Sequence, residues 1–279
     1  MVTIAIVAPG AMGSAIGERL VERGARVLTS TEGRSEATIG RARRAGMVPA
    51  TLEEIAAADL ILSIVPPGEA VALARWLAPA LGPHSAFVDC NAINPQTMVA
   101  VANTLAGTGC AVLDGAIIGL PPKPGDKGPT LYVSGDPDRR AQVLASLGIV
   151  LRHMEGPIGA ASALKMTYAG INKGLTGLGT AMLLAAARYG GIDSLRDELA
   201  ESQPQLLARF GKSIPDMYAK AYRWVAEMRE IAGFVGEDDP AALMFEGLAQ
   251  LFERLAADHA GERDLANVLD AALAAKSRL

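Results

Sequence analysis

A lysine with few polar neighbours is the residue best suited to chemistry in this sequence. Lys165 lies in the segment 156–174, where most other residues are glycine, alanine or larger apolar residues. Burial of a charged amine is costly and lowers the pKa of a lysine. Such a lysine can exchange protons near neutral pH, as a general acid–base residue must. The alternative is an ordinary lysine whose charged end reaches water along the helix surface.

Helical spacing places further polar residues on the face of Lys165. Tyr168, Asn172 and Thr176 follow it at i+3, i+7 and i+11, and such intervals align side chains along one side of a helix. We therefore expect Asn172 to act beside Lys165 in catalysis and Tyr168 to contact the substrate.

A glycine turn near the start of the chain indicates nucleotide binding. Residues 8–13, with the sequence A-P-G-A-M-G, join an apolar run to a helical pattern and match G-x-G-x-x-G with alanine first. Such a turn brings bare backbone and a helix N-terminus to a pyrophosphate. The expected cofactor-binding residues here are Gly10, Ala11, Met12 and Gly13. The alternative is a purely structural turn.

The segment after the second predicted strand bears on which nucleotide binds. It contains Ser30, Thr31 and Arg34, which suit a 2′-phosphate better than the free ribose of NAD. Glu32 instead favours NAD, because an acidic residue at this place can bind the ribose hydroxyls. We expect NADP(H) to be favoured over NAD(H). The alternative is that the arginines form a solvated helix face, comprising Arg34, Arg41, Arg43 and Arg44.

Two more segments follow predicted strands and should border the same cleft, because ligands bind beyond the carboxyl ends of strands in open α/β sheets. The alternative is that both segments are ordinary turns with no role in binding. The residues expected to bind the cofactor there are Val65, Pro66, Pro67 and Asn91.

Hydrophobic patterning predicts the elements that hold these residues. Up to about Gly156, short β-rich runs alternate with helical stretches, which is typical of a mostly parallel sheet. Beyond it only helical patterns appear, at 157–188, 195–209, 214–231, 240–257 and 262–276. The predicted fold is α/β, with an N-terminal Rossmann-type doubly wound sheet followed by an all-α domain. We expect residues 1–157 to bind the dinucleotide and residues 158–279 to bind substrate and dimerise.

Composition excludes several classes of protein. The chain has 279 residues, 50% of them hydrophobic, and a net charge of −4, so neither disorder nor binding to nucleic acid or an anionic membrane is expected. Cys90 and Cys110 provide neither a disulfide framework nor a metal site. The N-terminus lacks the pattern of a signal peptide and no apolar run is long enough to span a membrane. A cytoplasmic, metal-free protein is expected.

Together these motifs make the chain resemble the β-hydroxyacid dehydrogenase superfamily, which includes 6-phosphogluconate and 3-hydroxyisobutyrate dehydrogenases. The similar segments occur in order along the chain: the glycine turn, the Val65-Pro66 turn, D-C-N-A-I-N-P at 89–95, D-G-A-I-I-G at 114–119, and K-M-x-x-x-G-I at 165–171.

The resemblance implies roles for several residues. Lys165 would be the general acid–base residue, and the substrate segment would present Ile117 and Ile118. The helix containing Trp224 resembles a branch whose C-terminal domain has no known function, and we expect Trp224 to contact the substrate. The cluster of Arg223, Trp224, Glu227 and Arg229 would line the substrate pocket or a subunit interface, and the alternative is ordinary helix packing with a solvated face. In similar proteins the C-terminal helices pack between subunits, which implies a homodimer.

Departures from the family pattern make the expected substrate pocket more apolar. Ala169 replaces an asparagine and Asn172 a glutamate, while Ile118 and Leu120 replace a serine and a glycine. We predict an NAD(P)-dependent oxidoreductase acting on a hydroxyacid-type or related small-molecule carbonyl substrate rather than on phosphogluconate. The alternatives are an imine reductase of the same fold and a nucleotide-binding protein without catalysis.

Overall fold

The computed structural model describes residues 1–236 and 238–274. Contacts between Cα atoms divide the chain into two compact units, Met1–Met166 and Thr167–Leu279. Each unit is described separately below.

The first unit contains one eight-stranded sheet in the order β3-β2-β1-β4-β5-β6-β7-β8. All neighbouring strands are parallel except β6 and β7, which are antiparallel. The order reverses at β1, so the crevice between the ends of β1 and β4 is the usual ligand site of such a sheet. The strands are β1 (Thr3–Ile6), β2 (Arg26–Thr29), β3 (Val48–Pro49), β4 (Leu60–Ser63), β5 (Ala86–Asp89), β6 (Ala111–Ile118), β7 (Thr130–Ser134) and β8 (Val150–His153).

Helices cover both faces of the sheet, and each face has its own apolar core. Successive strand residues point to opposite faces, so Ile4 and Ile6 pack in one core while Ala5 and Val7 pack in the other. The helices are α1 (Ala11–Glu22), α2 (Glu36–Arg44), α3 (Leu52–Ala56), α4 (Ala70–Leu77), α5 (Pro95–Leu105) and α6 (Val143–Ser146).

The second unit is entirely helical within its described residues. The long helix α7 (Ala160–Arg188) begins in the first unit and continues into the second. The remaining helices are α8 (Ile192–Ser202), α9 (Pro204–Tyr218), α10 (Ala221–Val235), α11 (Pro240–Ala260) and α12 (Asp264–Leu273). The predicted fold class is therefore confirmed, with a mostly parallel sheet followed by helices.

Some predicted helix boundaries are wrong. The sequence predicts two helices, at 195–209 and 214–231, where the structure has three, α8, α9 and α10. Pro204 begins α9, because proline lacks an N–H group and the first position of a helix has no intrahelical acceptor for one. The chain then breaks again between Tyr218 and Ala221. The predicted continuation to residue 276 lies partly outside the described residues.

No helix within the described residues is both long enough and apolar enough to cross a membrane.

Candidate active site

The turn between β1 and α1 contains the two glycines of the sequence motif. Gly10 directly precedes α1, and a Cβ atom on it would meet no atom within 4 Å. A Cβ atom on Gly13 would lie 2.5 Å from the Ala8 carbonyl oxygen, so only glycine lets α1 pack this closely on the chain leaving β1. Ala11 is exposed and Met12 packs partly against the core. The turn therefore leaves bare backbone open to a ligand at the start of a helix.

A cleft of about 360 Å³ lies beyond the carboxyl ends of β1, β2 and β4. Its lining includes three of the residues predicted to bind the cofactor, namely Ser30, Arg34 and Val65. Thr31 borders a neighbouring cavity that shares Ser30 and Glu32 with it. The full lining is Val7, Ser30, Glu32, Arg34, Val65, Glu69, Ala72, Leu73 and Trp76. Glu32 and Arg34 therefore place an acidic and a basic side chain in the same cleft.

Two residues at this end of the sheet were not predicted. Arg41 donates from Nε to the Pro9 carbonyl oxygen at 3.3 Å and from Nη2 to Thr38 at 2.8 Å, so it holds α2 against the glycine turn. Arg43 and Arg44 are exposed, as the solvated-face alternative predicted. Trp76 lies on α4 and lines both cavities.

The spacing of Glu69, Leu73 and Trp76 along one helical face was the available signal for Trp76. Arg41 had no comparable signal, because its contact depends on the distance between α2 and a turn far away in the sequence.

A buried polar network joins the ends of β4 and β5. The side-chain oxygen Oδ1 of Asn91 accepts from the Val65 backbone amide at 2.6 Å. Its amide nitrogen donates to the Ser63 hydroxyl at 2.7 Å and to the Asp89 carboxylate at 2.8 Å. The Asn91 side chain is thus fully engaged within the protein, and its structural effect is to fix the Val65–Pro67 turn beside the cleft. Pro66 is exposed there, while Pro67 starts a short 3-10 helix.

The carboxyl of Asp89 is strongly perturbed in this network. Burial raises its pKa to about 7, and the Asp114 carboxylate adds to the increase. Hydrogen bonds from Asn91 and Ser63 act in the opposite direction. Asp89 and Asp114 are register partners on adjacent strands, which explains the repulsion.

Lys165 lies in the first unit, on α7, at the end of β6. Its ammonium group donates to the backbone carbonyl oxygen of Ile117. Burial lowers the pKa of Lys165, and the adjacent Cys90 thiol opposes that change. The sequence-based inference of a partly buried lysine with a lowered pKa is thus confirmed, since only part of the residue reaches solvent.

The residues expected to contact substrate occupy different environments. The Ile117 side chain is buried in the core, so its carbonyl oxygen is the part that reaches Lys165. Ile118 is half-buried at the end of β6. Tyr168 is 51% exposed on α7.

Asn172 and Trp224 are engaged inside the second unit. The Asn172 side-chain oxygen accepts from Arg209 at 2.7 Å, and its nitrogen donates to the Tyr168 carbonyl oxygen at 2.7 Å. Trp224 packs edge-on against Phe252 with centroids 5.1 Å apart. The Lys173 ammonium lies 5.2 Å from the Trp224 ring centroid. Both ends of the Asn172 amide are therefore already used.

Comparison with known proteins identifies the family. Residues 3–154 match the family model of the NAD binding domain of 6-phosphogluconate dehydrogenase, which is more than half of the chain. The chain belongs to this family. Residues 186–255 match a second model, described as Domain of unknown function (DUF1932). A search of curated proteins gives no significant match.

Solved structures similar to this family member span almost its whole length. A conserved protein of unknown function, described as structurally similar to 3-hydroxyacid dehydrogenases, is 25% identical over 96% of this chain and 99% of its own, with a TM-score of 0.71. The 3-hydroxyisobutyrate dehydrogenase of Mycobacterium tuberculosis is 20% identical over 97% and 99%, with a TM-score of 0.75. An imine reductase variant of Myxococcus stipitatus is 20% identical over 98% and 100%, with a TM-score of 0.59.

The last two likenesses show a shared fold. Together with the family match, the comparisons make this chain an NAD(P)-dependent oxidoreductase of the β-hydroxyacid dehydrogenase type, and the resemblance inferred from sequence is confirmed. Among residues 1–236 and 238–274, no group of three or more His, Cys, Asp or Glu side chains is placed to hold a metal ion.

Proposed function

We propose that this enzyme transfers hydride between NADP(H) and a hydroxyacid-type or related carbonyl substrate, with Lys165 as the general acid–base residue. The observation that carries the proposal is the Lys165 amine, which is largely withdrawn from water at the end of β6 and hydrogen-bonded to a carbonyl oxygen. Burial lowers the pKa of this amine from its usual value, which favours the exchange of a proton with a substrate.

The residues that would hold the cofactor are those of the glycine turn and the cleft beside it. Gly10 and Gly13 admit the pyrophosphate, and Ser30, Thr31 and Arg34 would hold the 2′-phosphate. The fit rests on the Gly13 contact, which only glycine allows, and on the Arg34 side chain lining the cleft. When bound, the nicotinamide supplies or accepts the hydride.

Lys165 performs the accompanying proton transfer. In reduction, the ammonium group gives one proton to the carbonyl oxygen, so that carbonyl, hydride and proton yield an alcohol. In oxidation, the neutral amine removes that proton from the hydroxyl group. Tyr168, three residues further along α7, would contact the substrate.

Imine reduction is the second candidate. It is favoured by apolar residues where related enzymes carry polar groups, since Ile118 ends β6 and Ala169 is buried. Lys165 disfavours it, because hydride transfer to an imine that is already protonated requires no proton donor. A protein that binds nucleotide without catalysis would retain the cleft and require no lysine.

The first test is consumption of NADPH with pooled oxo acids, aldehydes and cyclic imines, comparing wild type with Lys165→Met. We expect turnover on a carbonyl pool and a loss of about 100-fold or more in the variant, with NADPH binding retained. The exposed Lys212→Met variant is the matched control and should keep full activity.

Near-normal turnover in Lys165→Met would remove the lysine from this role. Turnover on imines alone would favour the second candidate, and binding without any turnover would favour the non-catalytic one.

We also propose that the enzyme is a homodimer formed through the second unit. An apolar stripe on α7 supports this, and four of its members are more than half exposed: Tyr168, Ile171, Leu178 and Met182. Exposed apolar surface of this kind is typical of an interface between subunits.

A further inference from the structure

The carboxylate of Asp114 on β6 has an unusually complete set of donors. It is fully buried and accepts hydrogen bonds from the backbone amides of Gly159 and Ser162, at 2.9 and 3.0 Å. The hydroxyls of Ser162 and Ser134 donate to it at 2.6 and 3.1 Å. All of these groups lie in the first unit.

These donors include the free amides at the start of α7. The first amides of a helix lack intrahelical acceptors and carry partial positive charge, so a buried start requires acceptors from elsewhere. Asp114 supplies two of these contacts, and the Ser134 hydroxyl accepts from the Ala161 amide at 3.0 Å. Asp114 and Ser134 are register partners across β6 and β7, so the sheet presents both acceptors side by side.

The same strand also holds the next turn of the helix. Ile117 lies three residues after Asp114 on β6, and Lys165 lies three residues after Ser162 on α7. The Lys165 ammonium donates to the Ile117 carbonyl oxygen. One stretch of β6 thus binds one turn of α7 at two points, a carboxylate at the start and a carbonyl oxygen at the lysine.

We propose that Asp114, acting with Ser162, is the positioning residue of the reaction, fixing the first turn of α7 so that the Lys165 amine is held at the end of β6. This inference rests on the proposed role of Lys165. On this inference, the carboxylate of the 114–119 segment binds the start of α7 rather than the substrate.

Loosening the first turn of α7 should let water reach Lys165. The pKa of this lysine is lowered mainly by burial, so greater hydration should raise it. The Cys90 thiol, directly after β5, acts electrostatically on Lys165, and Asp89 and Asp114 in turn act on Cys90. Ile117 offers only a carbonyl oxygen. Because Asp114→Asn also removes a charge, the uncharged change Ser162→Ala separates positioning from electrostatics.

The test measures the titration of Lys165 directly, by NMR of protein labelled with ¹³Cε-lysine, with the resonance assigned by its absence in Lys165→Met. We expect the midpoint to rise by about one pH unit in Ser162→Ala and by less in Asp114→Asn, where the loss of a negative charge lowers the pKa of the lysine and opposes the effect of hydration. The matched control is Ser85→Ala, which removes a buried hydroxyl that donates to the Ala56 carbonyl oxygen at 2.5 Å, away from α7. It should leave the midpoint unchanged.

Activity provides a second readout. In Asp114→Asn, kcat should fall by about 10-fold or more, with KM for NADPH unchanged. In Ser162→Ala, the pH limb assigned to Lys165 should be displaced upward. A midpoint in folded Ser162→Ala equal to that of Ser85→Ala would overturn the inference. Full turnover in Lys165→Met would instead overturn the proposed function, whatever the titration shows.

Discussion

Glu32 and Arg34 place opposite charges on one wall of the same cleft. Gly33 lies between them with a φ of +66°, a backbone conformation that glycine adopts readily, and it allows the tight turn from Thr31 to Arg34. Arginine binds phosphate through a planar fork of donors, whereas a glutamate at this place would repel it. The preference between the two nicotinamide cofactors therefore depends on which of these side chains meets the ribose.

We predict that Arg34→Ala raises KM for NADPH by about 10-fold or more while changing KM for NADH little, because a charge-assisted hydrogen bond to the 2′-phosphate is lost. Steady-state kinetics with both cofactors measure this. The reciprocal variant Glu32→Gln should preserve or improve the use of NADPH. Equal losses with both cofactors in Arg34→Ala would contradict a role in discrimination.

At the scale of elements, the Asn91 network beside the cleft contains a buried acid whose protonation affects the free energy of unfolding. Asp89 has a usual pKa of 3.8, which burial raises to about 7 in the folded chain. Between these values the folded chain holds a proton that the unfolded chain has released. The free energy of unfolding therefore receives its full contribution from this group below about pH 4 and loses it as the pH rises to about 7.

We predict that Asp89→Asn removes this dependence. Relative to wild type, the variant should gain up to about 1.4 kcal/mol of stability for each pH unit between 5 and 7. Urea denaturation at a series of pH values measures the difference, because urea carries no charge. If the two stability curves run parallel across this window, Asp89 is already ionised well below pH 7 in the folded enzyme.

The sequence predicted the architecture because its signals are local. The glycine turn, the β-rich runs and the loss of strands after Gly156 each depend on a short window, and the structure confirms the sheet followed by helices. The breaks at Pro204 and between α9 and α10 were missed, since a continuous apolar pattern crosses both. Proline at the first position of a helix was the signal for the first break.

The site was predicted less completely, because its key contacts join distant segments. Lys165 was found from its apolar surroundings, and the structure confirms its burial and the direction of its pKa shift. The partners of Asp114 lie on β7 and at the start of α7, 20 to 48 residues away along the chain, and no spacing rule joins them. Asn172 shares the helical face of Lys165, as predicted, yet its contact with Arg209 could not be inferred from that face alone.

At the scale of the whole molecule, the stripe on α7 bears on assembly. Tyr168, Ile171, Leu178 and Met182 are separated by three, seven and four residues, so helical periodicity aligns them along one side. Leu175 fits the same line and is half-buried. A matching stripe on a second copy would cover these side chains, because an interface with two-fold symmetry pairs the same surface patch on both subunits.

We predict that light scattering coupled to size exclusion gives a mass twice the 28.9 kDa of one chain, and that the double variant Leu178→Glu, Met182→Glu gives the mass of a single chain. Burying two carboxylates against apolar partners is costly. The matched control is Val99→Glu, an exposed apolar residue on α5 of the first unit, which should remain dimeric. Retention of the dimer in the double variant would place the interface elsewhere, and a monomeric wild type would refute the homodimer itself.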